Sequence, residues 1–173
     1  MPKEFISSDT NVWIDFLTIS KLTLPFLLPY TYIMYEESIA SELLTPSNFK
    51  DDLSAAGLQA VDITIEEYES AEMWENEYPR LSVQDRIALA IAKHRNIVLL
   101  TGDRALREAA QLEKVPIMGT IGILDKLYEG NYITAEVFSE CIGLLLEHNG
   151  KDVRIPRKEL EKRLDMIKKV LHG

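Results

Sequence analysis

The chain reads as an α/β protein with a mostly parallel central sheet covered by helices on both faces. Short β-branched or aromatic runs alternate with longer amphipathic runs along its length, the pattern of crossover-connected parallel strands. One run, Ile97-Val98-Leu99-Leu100, is apolar without a break, as expected of a strand buried on both faces. The 173 residues are 46% hydrophobic, enough for one domain with a real core.

The elements follow in order. Phe5–Ser8 reads as a first strand ending at Asp9. Val12-Trp13, Phe16-Leu17 and Ile19-Ser20 have helical spacing. Pro25 and Pro29 break the chain, and Tyr30–Met34 is the second strand. Glu36–Leu44 is a helix stopped before Pro46. A helix at Phe49–Ala56 leads through Gly57 to a strand at Gln59–Ile63. Thr64 and Glu67 have capping-box spacing. Ser82–Ala92 is amphipathic, and the buried strand at 97–100 precedes a helix at Arg104–Leu112. Val115–Met118 is the last strand, followed by helices at Ile121–Tyr128, Thr134–Glu147 and Pro156–Leu171. The turn-like Asn149-Gly150-Lys151-Asp152 divides the expected domain, 1–150, from a basic helical extension, 151–173.

Net charge is −9, which argues against a generic nucleic-acid coat. The imbalance is uneven: residues 151–173 hold eight Lys/Arg against four Asp/Glu. Lys158, Lys162 and Lys169 can meet RNA phosphates, or serve with Glu159, Glu161 and Asp165 as a solvated face. Leu160, Leu164, Ile167 and Leu171 repeat at helical spacing and need a partner, either the core or a second subunit. The single cysteine, Cys141, excludes an intramolecular disulfide and lies in an apolar run, as a packing residue does. No apolar leader opens the chain, and Leu22–Met34 is too short and too proline-broken to span a bilayer. The expected location is cytoplasmic, without membrane association.

The chemistry concentrates in four acids at strand ends and helix starts: Asp9, Glu42, Asp85 and Asp103. Ligands of open parallel sheets bind beyond the carboxyl ends of the strands. Asp9 follows the first strand, and Asp103 follows the buried strand after only Thr101-Gly102. Each acid also has a plain reading. Asp9 and Asp103 suit helix N-caps, Asp85 stands three after Ser82, and Glu42 suits a solvated helix face. Together, two carboxylates at about 5 Å repel by roughly 3 kcal/mol at an effective dielectric near 20, and a divalent ion reverses that penalty. Oxygen-only ligands favour Mg²⁺ or Mn²⁺, and His94, His148 and His172 lack zinc spacing. Such an ion activates water and steadies a phosphodiester transition state, and two ions can hold both reacting oxygens. Thr10, Asn11 and Thr101 are candidates to orient water or a ligating carboxylate.

The phrases Asp9-Thr10-Asn11-Val12-Trp13-Ile14-Asp15-Phe16 and Leu100-Thr101-Gly102-Asp103 resemble the first and last motifs of the PIN domain family. Glu42 in Ile39-Ala40-Ser41-Glu42-Leu43 is similar to its second acid, and Asp85 in Asp85-Arg86-Ile87-Ala88-Leu89-Ala90 to its third. The stretch Val115–Leu124 is similar to a PIN-related subfamily resembling toxin halves of toxin–antitoxin pairs (VapC-type). The resemblance covers about residues 4–130. It implies a three-layer α/β/α sandwich and a Mg²⁺- or Mn²⁺-dependent ribonuclease acting on RNA. It also implies homodimers and, in the toxin branch, a small antitoxin partner. Glu36 and Glu37 lie close to Glu42 and compete for the second position, and the helix at 156–171 lies outside the common pattern.

Two other functions compete. A catalytically silent PIN-fold module binding nucleic acid or protein would not need a cation cage. Phosphoryl transfer through an aspartyl phosphate wants an acid two after Asp9, where Asn11 stands, or a paired lysine after a late strand, where Gly119-Thr120 stands.

Overall fold

The structure, a computed structural model, describes residues 3–173. Met1 and Pro2, the first residues of the start expected to lack an apolar leader, lie outside them. Among the described residues one five-stranded, all-parallel sheet runs in the order β3-β2-β1-β4-β5. Its strands are β1 (Glu4–Ser8), β2 (Tyr30–Tyr35), β3 (Gln59–Val61), β4 (Val98–Leu100) and β5 (Ile117–Met118). The helices are α1 (Thr10–Thr18), α2 (Glu36–Glu42), α3 (Phe49–Ala56), α4 (Ile65–Glu77), α5 (Val83–Arg95), α6 (Arg104–Leu112), α7 (Thr120–Glu129), α8 (Ala135–His148) and α9 (Arg157–His172). A 3₁₀ turn occupies Leu24–Leu27.

The three-layer α/β/α sandwich expected from the sequence is the fold. Two hydrophobic clusters lie on opposite faces of the sheet, and adjacent strand residues feed them alternately. Leu100, Tyr32 and Met34 join the larger cluster, whereas Leu99 and Ile33 join the smaller. That alternation is the period of two expected of pleated strands. It also explains the unbroken apolar run in β4, whose Leu99 and Leu100 are both fully buried.

Simple strand–helix alternation is interrupted. Two helices, α2 and α3, fill the crossover from β2 to β3, and two more, α4 and α5, fill that from β3 to β4. The last strand is shorter than the expected Val115–Met118. Val115 is tied back to Ala110, and Pro116 has no N–H to donate, although its carbonyl accepts from Leu99. The third strand likewise ends at Val61 rather than Ile63, where Asp62 accepts from the Ile63 amide and ends the pairing.

Trp13, Phe26 and Tyr32 form an aromatic knot with centroids 5.1–5.3 Å apart. It anchors α1 to β2, and the Trp13 indole donates to Ser8 Oγ at 3.2 Å. This fixes the start of α1 relative to the end of β1, and with it Asp9. The α9 helix runs along α8, and its Leu160 and Ile167 are fully buried in the larger cluster. The apolar stripe of the basic helix therefore packs on this chain's own core. Cys141 is buried there too, and burial pushes its thiol up to about 11. No helix among the described residues is long and apolar enough to cross a membrane.

Candidate active site

From β1 the chain steps outward to β2 and β3 on one side, then returns to place β4 and β5 on the other. The sheet's topological switch point is therefore the crevice between β1 and β4, where open parallel sheets bind ligands. The two strands stay in register to their ends, with Ser8 opposite Leu100 and the Asp9 amide donating to the Leu100 carbonyl at 3.0 Å. Asp9 and the Thr101-Gly102-Asp103 loop thus leave the sheet side by side.

Asp9 is 7% exposed. Its Oδ1 accepts from the Thr10 amide at 2.9 Å and its Oδ2 from Thr101 Oγ1 at 2.8 Å. The Asp103 amide donates to the same Thr101 hydroxyl at 3.1 Å, so Thr101 couples the two acids. Thr10 Oγ1 donates to Glu42 Oε1 at 3.0 Å, linking the end of α2 to the start of α1. The Gly102 amide donates to Asn11 Oδ1 at 3.2 Å, so Asn11 pins the loop after β4. Asp85 sits at the first turn of α5, in a full capping box with Ser82. Asp103 caps α6 through the Leu106 amide at 2.9 Å.

The electrostatics tie the four acids together. Burial, then the charges of Asp85 and Glu42, push Asp9 up to about 7, against the hydrogen bonds from Thr101 and Thr10. Glu42 is raised by burial and by Asp85, with the Thr10 hydroxyl opposing. Asp85 is raised by burial and by Asp103, with the Ser82 bonds opposing. No Lys or Arg figures among the groups acting on these three acids. Glu37 faces elsewhere, against the Tyr35 hydroxyl, so of the neighbouring glutamates it is Glu42 that meets Asp9.

A cation site is thereby tested in two respects. The donors are all oxygens, acidic and mutually repelling, and they fit a hard divalent ion. Their separation is wider than a closed cage: among the described residues, no three His, Cys, Asp or Glu side chains stand close enough to share one ion. Asp85 and Asp103 each direct an oxygen to a helix N-terminus, so the plain capping reading of both is realised alongside the electrostatic coupling.

A small cavity of about 10 Å³ lies between Asp9 and Glu42, bordered also by Ser7, Ser8, Ser38 and Gln84. It is the size of a single water. Ser38 and Gln84 were not among the candidates from the sequence. Both had a local signal: Ser38 is one helical turn before Glu42, and Gln84 adjoins Asp85.

Comparison with known proteins gives the family. A family model described as a PIN domain matches residues 5–169, nearly the whole chain. No curated protein and no solved structure matches.

Proposed function

This chain belongs to the PIN domain family of nuclease-type domains, which generally use divalent metal ions, and on that premise we propose that it is a Mg²⁺- or Mn²⁺-dependent endoribonuclease. The observation that carries the reading is Asp9: a buried carboxylate at the switch point, raised by two neighbouring acids and given no cation of its own. Asp9, Glu42, Asp85 and Asp103 would supply the oxygens, drawing closer around a bound cation than they stand in the metal-free chain. When bound, the ion acidifies water and offsets the charge that grows on a phosphodiester in its transition state.

The chain's own residues have separable tasks. Thr101 and the Thr10 amide fix both oxygens of Asp9, so the carboxylate does not rotate away. The Thr10 hydroxyl orients Glu42. Asn11 holds the Gly102 backbone and sets where Asp103 begins α6. Asp9, pushed up to about 7, keeps a proton near neutral pH and releases it when a cation arrives.

A toxin role, with a small antitoxin partner and a homodimeric toxin, extends the same proposal. The exposed Ile65, Tyr68 and Met73 on α4 supply apolar surface for protein contact. A mass of one chain by light scattering would remove the homodimer from it.

A second reading is a catalytically silent binding module. The capping roles of Asp85 and Asp103 favour it, because a cap needs no metal. RNA cleavage separates the two. The nuclease reading predicts cleavage with Mg²⁺ or Mn²⁺, none with EDTA, and none from Asp9→Asn under any condition. Cleavage that persists in EDTA, or in the Asp9 variant, would contradict it.

A further inference from the structure

Beside the acidic cluster the surface opens into two adjoining cavities of about 350 and 430 Å³, each large enough for a nucleotide. Asn11 and Asp103 line the larger, so it begins where the candidate active site ends. Gly102, Asp15 and Arg154 line both cavities, which makes them one continuous groove.

Asp15 is the unexpected member. It belongs to none of the four acids, yet it is 8% exposed. Its Oδ2 accepts from the Thr120 hydroxyl at 2.6 Å, which ties α1 to α7. Its other oxygen has no hydrogen-bond donor among the described residues. Burial pushes the carboxyl up to about 6, with the Thr120 bond opposing, so the ionised acceptor prevails above that pH. That spare oxygen stands at the cavity wall, where it is free to accept from a ligand that enters.

The groove carries cations as well as the acids Asp152 and Glu159. Arg107 and Arg154 are exposed at it, and neither has an ion-pair partner among the described residues. Ile14 on one side and Ile155 on the other give apolar walls. In a chain of net charge −9, two unpaired arginines beside an acid-lined centre are the natural landing points for a phosphate backbone.

We infer that this groove is a nucleotide subsite for RNA flanking the cut, in which Asp15 accepts from the exocyclic amine of a base and Arg154 and Arg107 meet its phosphates. The identity of the ligand as RNA rests on the nuclease reading. The subsite favours adenine, cytosine or guanine over uracil, which has no exocyclic amine and whose ring N3–H is flanked by two carbonyls that repel a carboxylate. Cytosine and uracil give the sharpest contrast, because position 4 is an amine in one and a carbonyl in the other.

The test is fluorescence anisotropy with short labelled oligocytidine and oligouridine, in EDTA so that nothing is cut. The full chain should bind oligocytidine about 10-fold more tightly, the effect of one hydrogen bond to a charged acceptor. Asp15→Asn keeps an oxygen for Thr120 and turns a donor toward the groove, so the preference should vanish or reverse. Arg154→Gln should weaken both ligands alike and lower the salt slope by about one. Equal binding of the two oligonucleotides, binding of neither, or a preference unchanged in Asp15→Asn would overturn the inference. Cleavage of mixed-sequence RNA with Mn²⁺ is scored separately. Cutting without base preference removes the subsite and keeps the nuclease, whereas preference without cutting does the reverse.

Discussion

Two buried carboxylates in this molecule have opposite surroundings. Glu67, on α4, is 1% exposed and receives both Nε and Nη2 of Arg95, at 2.8 and 3.1 Å, and the Thr64 amide at 2.8 Å. Burial alone would raise it, but those partners hold it below the ordinary carboxylate range. Asp9 is nearly as buried and receives only neutral donors, and burial together with the neighbouring acids pushes it up to about 7. The α4–α5 seam neutralises its buried acid with an arginine. The switch point between β1 and β4 leaves its acid uncompensated. A charge buried for stability acquires a partner from the chain, whereas one left wanting a partner marks a site that takes it from solution.

The contrast is broken most directly at Asp9. Asp9→Asn should abolish RNA cleavage and raise the melting temperature of the metal-free protein, because it removes an unpaired buried charge. A melting temperature that falls instead would place Asp9 among the stabilising acids with Glu67.

Thr101→Val should come next. It leaves Asp9 in place but frees one of its oxygens, and loss of such an orienting bond costs about 10–100-fold in metal affinity or activity. Folding measured by circular dichroism should be retained, and a full-rate variant would remove Thr101 from the site.

Glu67→Gln should do the reverse of Asp9→Asn, with cleavage intact and stability lower. Arg95 is 32% exposed, so solvent screens it and the loss is about 2 kcal/mol, below that of a fully enclosed pair. That corresponds to roughly 4–8 °C in melting temperature for a chain of this size. Unchanged melting would mean the pair contributes nothing net.

The pH response needs no substitution and has a definite sign. Asp9 is raised from its ordinary 3.8 to about 7, and Asp15 from 3.8 to about 6. The folded state therefore holds protons that the unfolded chain has already released. Stability from these groups is full below pH 3.8 and declines as the pH rises toward 7. Glu67, already ionised above its ordinary 4.5, contributes a constant between pH 5 and 8. Melting of the metal-free protein should therefore fall across that window, and Mn²⁺ at pH 8 should restore it. A flat profile would remove the strain assigned to the acidic cluster.

Much of the fold was legible because its signals are local. The Thr64–Glu67 and Ser82–Asp85 capping boxes form as their spacing predicts, and the apolar run of β4 is buried on both faces. Asp103 reads from its position as an N-cap and is one. The shortened β5 shows the limit: hydrophobicity at Val115 and Pro116 suits a strand, but proline lacks the donor that pairing needs. The four acids were legible as an ordered set, since two follow strands that a parallel sheet must carry to one edge. Their separations were not, because they depend on how α5 and α2 lean across that edge. Asp15 stands in the first motif and Arg154 in the basic segment, but nothing local joins the two. They are far apart in the chain, and only the packing of α1, α7 and the segment before α9 brings them to one groove.

The central claim is that the acids at the switch point are built for a divalent cation. Titration of the protein with Mn²⁺ by calorimetry, on the unaltered chain and on the Asp9→Asn/Asp103→Asn variant, tests it most directly. The account predicts saturable binding to the unaltered chain, with proton release near pH 7, and none to the variant. Absence of binding to the unaltered chain, or equal binding to both, would contradict it and return the four acids to helix capping.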